Sequence, residues 1–306
     1  MSVHIRIGTR GSKLALAQSR WVQARLQALR PDIEAELVTI TTSGDRFLDQ
    51  PLSAIGGKGL FVKEIEEALS VGAVDCAVHS MKDVPDVLAP GLVIAAVPPR
   101  ADARDLLIAR GVNSLCSLPG GARVGTSSLR RMALCRAARR DLDVLQLRGN
   151  VDTRLRKLDA GEVDAIVLAA AGLQRLGITR ADAVFFNPEE FIPAIGQGAL
   201  AVETRDNASV TLLAALDDTT TRAAVTAERA FLHRVGGSCS TPLAAHATLH
   251  DGALMLRALI ASPDGSRLVR GARSGDPALG TAMAVDLAEE LLGNGGAAIL
   301  QALGVM

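Results

Sequence analysis

The 306-residue chain has no tyrosine, one tryptophan and six phenylalanines, so aromatic residues make up only 2% of it. Proteins that bind single-stranded bases stack them on such rings, and the scarcity argues against a nucleic-acid partner. Net charge is also missing, because 33 basic residues balance 33 acidic ones. The molecule as a whole attracts neither polyanions nor anionic lipid, and affinity for anions has to come from local clustering. No apolar stretch reaches the roughly 18 residues of a membrane span, and the segment Met1–Arg10 lacks the apolar core of a secretory signal. A cytoplasmic location without a membrane partner is the expectation. The four cysteines, Cys76, Cys116, Cys135 and Cys239, show neither Cys-x-x-Cys spacing nor local pairing, as suits reduced thiols. His246 and His250 fall at the end of a strand-like run, where their separation is too wide for a compact zinc site, so no metal is expected.

What the chain does have is length and local pattern. It exceeds what one hydrophobic core organises, so two or three domains are expected. The first part alternates strand 4–8, helix 12–29, strand 34–40, helix 60–69 and strands 75–79 and 92–97, the rhythm of a wound α/β domain. In the first helix Leu14, Ala17, Trp21, Ala24 and Ala28 form one stripe, which puts Trp21 in the core. Periodicity stops at Pro98-Pro99-Arg100, read as a hinge. A second wound unit follows, with strands 106–109, 123–125, 144–147 and 165–168 and helices 129–140 and 151–160. Beyond the Gly196-Gln-Gly198 turn come strand 199–203, helix 222–235, alternating segments 244–249, 253–261 and 267–273, and helix 280–292. These make a third, smaller α+β domain. The expected domains are 1–98 with 199–216, then 104–192, then 221–306, with no internal repeat.

The basic residues are not spread evenly. Between Arg123 and Lys157 ten of them meet three acids, an excess that the neutral total conceals. Within this segment Gly125-Thr-Ser-Ser-Leu-Arg-Arg131 joins a strand to a helix, setting Thr126, Ser127 and Ser128 beside backbone N–H groups at the positive end of the helix dipole. Arg130, Arg131, Arg148, Arg154 and, further on, Arg175 fall at strand ends or early in helices. Guanidinium groups make bidentate pairs with carboxylates as well as with phosphates. A solvated basic face is the plainer reading of the same residues. The Gly-rich segment 43–59 is long enough to suggest a functional loop. It is not a phosphate-binding P-loop, because Leu52 stands where the first glycine is needed and Gly59 replaces the hydroxyl residue after Lys58. Lys58 is then the charge of a lid or of an ordinary surface loop. His79-Ser-Met-Lys-Asp-Val-Pro85 follows an apolar strand, so Lys82 and Asp83 stand at a strand end, where α/β folds place their sites. Asp83 there is either a turn residue or a carboxylate able to donate a proton and stabilise adjacent positive charge. Gly236-Gly-Ser-Cys-Ser-Thr-Pro242 sets Cys239 in a small-residue turn that lets a bulky group approach the sulfur.

Together these motifs resemble the porphobilinogen deaminase family. The shared signatures are Thr9-Arg10-Gly-Ser12 with Leu14-Ala-Leu16, Gly56-Gly-Lys-Gly-Leu-Phe-Val-Lys-Glu64, His79 to Pro85, and Val124 to Arg131. They continue with Leu147-Arg-Gly-Asn-Val151, Ala171-Gly-Leu-Gln-Arg-Leu176 and Gly196-Gln-Gly198, in family order across nearly the whole chain. The resemblance implies an α/β fold of two periplasmic-binding-protein-like wound domains with a third, smaller α+β domain. It implies a transferase that condenses four porphobilinogen molecules, with loss of ammonia, onto a covalent dipyrromethane cofactor and releases hydroxymethylbilane. It assigns Cys239 to cofactor attachment, Asp83 to acid/base work, and Lys58 and Phe61 to the lid and cleft. It assigns Arg10, Ser12, Lys82, Thr126, Ser127, Ser128, Arg130, Arg131, Arg148, Arg154, Arg175 and Gln197 to the pyrrole side chains or their surroundings. Every pyrrole ring of the substrate carries two carboxylates, which gives the basic segment a purpose that a solvated face leaves it without. A monomer taking a small-molecule substrate is expected.

The chain departs from the family at two places. Ser238 precedes Cys239 where many members have glycine, and Ala54 stands where some bacterial members carry lysine, which leaves the lid one positive charge fewer. The competing class is a two-lobed anion-binding solute or effector-sensing protein. The missing export signal and Cys239 weigh against it.

Overall fold

Val3, Ile5 and Ile7 alternate with polar residues, and that period-2 pattern makes β1 (Val3–Arg10) a strand paired in parallel with β2 (Ile33–Ile40) along all eight residues. The computed structural model describes residues 2–43, 62–238 and 241–305. It falls into two units, Met1–Ala101 with Gly198–Arg222, and Asp102–Gln197 with Ala223–Met306.

In the first unit β1 also pairs in parallel with β3 (Cys76–Ser80). A strand from far along the chain, β10 (Leu200–Arg205), enters antiparallel between β3 and β4 (Leu92–Ala96), giving the order β2-β1-β3-β10-β4. Ile5, Ile7, Cys76, Val78, Leu200 and Val202 pack on one face of this sheet against Val22 and Leu26 of α1 (Lys13–Leu29). The opposite face holds Ala77 and Val74 against Ile65 and Leu69 of α2 (Lys63–Ser70). The stripe expected to bury Trp21 is displaced by one position. Ala15, Gln18, Ser19, Val22 and Leu26 are buried instead, and Trp21 is 45% exposed. The displacement has a polar cause: Gln18 Nε2 donates to Ser80 Oγ at 2.8 Å and Ser19 Oγ to Thr9 Oγ1 at 2.7 Å. Those bonds turn a partly polar face inward, which a count of apolar residues does not anticipate.

The second unit begins with β5 (Asp105–Ala109), β6 (Arg123–Gly125), α3 (Leu129–Ala138) and β7 (Asp143–Leu145). It continues through α4 (Val151–Asp159), β8 (Ala165–Ala169), α5 (Ala170–Arg175) and β9 (Ala183–Phe185). The sheet order is β7-β6-β8-β5-β9, with β6 parallel to β7 and β8, and β5 antiparallel to β8 and β9. The two sheets thus share one plan: three parallel strands in the order second, first, third, then an antiparallel insert, then the last strand. No repeat is visible in the amino acids, so the likeness lies in topology. α6 (Ser209–Leu213) closes the first unit's core, and α7 (Thr219–Val235) leads back into the second.

The third sheet is a meander of β11 (Leu243–His250), β12 (Ala253–Ala261) and β13 (Leu268–Gly275). Asp251 and Gly252 turn the first hairpin with φ of 50° and 77°, the geometry that makes Asp-Gly a favoured two-residue loop. α7 and α8 (Gly280–Leu291) cover this sheet around Phe231, Leu254, Leu256, Leu287 and Leu291. Ala244, Leu259 and Ala261 look the other way, into the core of Val124, Leu134, Val144 and Val167 under the second sheet. That shared core makes the second and third sheets one unit. Helix α8 ends at Leu291, a kinked turn places Gly295 at φ 105°, and α9 (Ala297–Ala302) follows. The fold is therefore α/β, two wound sheets with a third, smaller α+β layer.

Candidate functional site

In the first unit the sequence-assigned residues gather where strands end. Arg10 is the last residue of β1 and half-buried. Ser12 caps α1, its hydroxyl accepting from Ala15 N at 3.2 Å. Lys82 and Asp83 occupy the 3-10 turn Met81–Asp83 that follows β3 directly, with Lys82 half-buried and Asp83 exposed. The turn is pinned at both ends, Met81 N donating to Ala199 O at 3.0 Å and Val84 N to Met81 O at 3.1 Å. Beneath it His79 Nε2 lies 3.0 Å from Glu203 Oε2, both side chains buried. Burial, and then the charge of Glu203, raise the pKa of nearby Glu66.

In the second unit Thr126, Ser127 and Ser128 form the loop between β6 and α3. Ser127 Oγ donates to Leu147 O at 2.5 Å, and Ser128 caps α3, accepting from Arg131 N at 3.5 Å. The Ser127 hydroxyl ties the loop to the segment that carries Arg148, so the two motifs form one structure. Arg148 is half-buried and is followed by Gly149 at φ 110°. The Gly149 carbonyl accepts from Arg154 Nε at 2.8 Å, so the turn that presents one arginine also fixes the next. Burial pushes the Arg154 pKa down to about 10, helped by the positive charges of Arg131 and Arg148. Arg175, at the end of α5, is pushed down to about 10 by burial.

Arg130 and Arg131 sit deeper, 3% and 5% exposed, and converge on a residue that the sequence reading leaves out. Asp105, at 0% exposure, opens the otherwise apolar β5. It accepts from Arg130 Nη1 at 2.7 Å, from Arg131 Nε and Nη2 at 3.0 and 2.7 Å, and from Gln197 Nε2 at 2.9 Å. Arg131 Nη1 also donates to Val167 O, Arg130 Nη1 to Ile192 O, and Gln197 Nε2 to Ala103 O. Burial would raise the Asp105 pKa, but Arg130 and Arg131 outweigh it and hold it at about 2. The Nε of Arg130 is buried without a hydrogen-bond partner among the described residues. The signal in the sequence is an acid opening a run of four apolar residues, Asp105-Leu-Leu-Ile-Ala.

Three expected site residues, Lys58, Phe61 and Cys239, lie outside the described residues, as does the Ala54 departure. Of the other cysteines, Cys76 and Cys135 are buried, with burial pushing both thiols up to about 12, and Cys116 is exposed. Among the described residues no cluster of His, Cys, Asp and Glu has the makings of a metal site, and no helix is long and apolar enough to cross a membrane.

Among solved structures, a likeness is found to the methionine binding protein MetQ, at 16% identity and TM-score 0.45 over 72% of this chain and 92% of that one. Closer likenesses come from sequence. The porphobilinogen deaminase from Syntrophotalea carbinolica is 51% identical over 303 residues, 98% of this chain and 96% of its own length. That from Roseiflexus castenholzii is 56% identical over 300 residues, 96% and 97% of the two chains. The family model described as porphobilinogen deaminase, dipyromethane cofactor binding domain, matches residues 5–212, and that for the porphobilinogen deaminase C-terminal domain matches residues 222–293. A chain matched over nearly its whole length in this way belongs to the porphobilinogen deaminase family.

Proposed function

We propose that the protein is a hydroxymethylbilane synthase, a transferase that joins four porphobilinogen molecules with loss of ammonia on a dipyrromethane held by Cys239. The observation that carries the reading is the placement of the arginines: Ser127 of the Thr126–Ser128 loop is bonded to Leu147 O beside Arg148, and the Gly149 carbonyl that follows holds Arg154. Arg148, Arg154 and Arg175 are half-buried, and burial lowers the pKa of Arg154 and of Arg175. Two carboxylates on every pyrrole ring match such guanidinium groups, so the donor set fits the group. When bound, the dipyrromethane supplies the free pyrrole carbon to which the first substrate is joined.

The chain's own residues do the rest. Arg148, Arg154 and Arg175 hold ring carboxylates, with Arg130, Arg131 and Gln197 in the layer behind them. Arg10, Ser12, Lys82 and the Thr126–Ser128 loop complete the set, and Lys58 and Phe61 serve the lid. The Asp83 carboxyl gives a proton to the departing aminomethyl nitrogen, and its carboxylate then faces the positive charge that develops on the ring. Its exposure and its pinned turn suit a group that must reach substrate from a fixed base. Cys239 is the anchor in preference to Cys76 and Cys135, whose buried thiols resist ionisation. The reading includes a cytoplasmic monomer folded as three domains, 1–98 with 199–216, 104–192 and 221–306. An intact-mass measurement tests it. The purified wild type should carry the mass of two pyrroles, and Cys239→Ala should lack both the adduct and activity. An adduct that survives in Cys239→Ala would move the anchor to another thiol and overturn the assignment.

A further inference from the structure

Asp105 belongs to no part of the reaction described above, yet four donated hydrogen bonds from three side chains converge on its carboxylate. Two adjacent arginines at the start of α3 would by themselves repel one another and adopt several rotamers. One fully buried acid between them cancels one of their two charges and leaves each guanidinium a single orientation. Arg131 spends Nε and Nη2 on Asp105 and Nη1 on Val167 O, while Arg130 gives Nη1 to Asp105 and, among the described residues, keeps a buried Nε without a hydrogen-bond partner. The charge of Arg131 is felt in turn at Arg154. Whatever sets Arg131 therefore sets part of the field at Arg154.

We propose that Asp105 is a positioning residue for the arginine cluster, a buried carboxylate that orients Arg130, Arg131 and Gln197 and fixes the cluster's net charge for pyrrole carboxylates. The proposal rests on the deaminase reading. It predicts that charge at position 105 matters more than shape, because a carboxylate accepts from all three partners, whereas an amide of the same size turns one acceptor into a donor facing either Arg130, or Arg131 and the Gln197 amide.

The test compares Asp105→Asn, which keeps size and loses charge, with Asp105→Glu, which keeps charge and adds a methylene. For each full-length protein the thermal midpoint is recorded, the fraction carrying the two-pyrrole mass is counted, and KM and kcat for porphobilinogen are measured on the loaded fraction. Asn should load at least tenfold less than wild type, Glu should load more than Asn, and loaded Asn enzyme should show a raised KM with a smaller change in kcat. A role in folding alone would favour the isosteric Asn over Glu and leave KM unmoved, and that result overturns the proposal. So does wild-type loading and KM in Asn, or insolubility of both variants. If only Asn is insoluble, Glu decides: a raised KM supports the positioning role and an unchanged one overturns it. If only Glu is insoluble, the KM of Asn decides in the same way. Wild-type protein without the two-pyrrole mass would sink the functional reading itself, and the proposal with it.

Discussion

Asp83 stands exposed on a turn of three residues whose neighbours Met81 and Val84 are both buried, so its backbone is fixed while its carboxylate is free to meet a ligand. Asn at this position preserves size and one acceptor but can neither carry negative charge nor cycle a proton. Asp83→Asn should therefore fold, keep the thermal midpoint of wild type and bind porphobilinogen, while turnover falls by about 10²–10⁴-fold or more. Asp83→Glu keeps the carboxylate one methylene away and should retain more turnover than Asn. Ammonia release per loaded enzyme measures both. Equal rates in Asn and wild type would make Asp83 a turn residue. At this scale the sequence was most legible, since residues whose chemistry is carried by type and local motif can be picked out directly. Asp105 escaped because its role depends on partners 25, 26 and 92 residues away.

The turn from β7 to α4 shows how an element delivers such residues. Gly149 lies at φ 110° between Arg148 and Asn150, and an added Cβ would fall 2.7 Å from Thr153 Cγ2. Gly149→Ala meets both a backbone conformation that L residues avoid and a clash with α4. It should cost about 1–3 kcal/mol in stability. It should also lower the two-pyrrole loading, because the Gly149 carbonyl holds Arg154. Chemical denaturation and intact mass read the two effects, and an unmoved denaturation midpoint would mean the turn accommodates a side chain. Elements with long apolar periodicity, such as β12 and α7, are readable from pattern alone. The short α5, β9, α6 and α9 are not, having six residues or fewer in which a period can repeat. Nor does any local pattern say that β10 and β5 enter their sheets antiparallel, since direction is a property of the partner strands.

For the whole molecule the balance of buried charge sets the response to acid. Asp105 is held at about 2 against an ordinary 3.8, and Asp75 and Asp102 are also lowered: burial raises each, but Arg6 and Arg104 outweigh it. Depressed carboxylates contribute stability that is present above their unfolded pKa and lost as pH falls through the folded one. Glu66 has the opposite sign: its pKa is raised by burial and by Glu203, so its contribution is present at low pH and lost as pH rises through its folded value. The thermal midpoint should hold or rise slightly as pH falls from 7 to about 5 and then drop steeply between about 4 and 2. Glu66→Gln should remove the rise and leave the acid drop in place. A midpoint that stays flat to pH 2 would show that the Asp105 cluster contributes nothing to stability. The strand order has a further consequence, for the order of synthesis. Among the described strands β4 is hydrogen-bonded only to β10, which is made after all of residues 102–197. At roughly 5–20 residues per second, the nascent first sheet waits on the order of 5–20 s with β3 and β4 unjoined. A ribosome-bound or truncated chain ending before Leu200 therefore leaves open the two strand edges that β10 later joins, and such edges are templates for pairing with another chain.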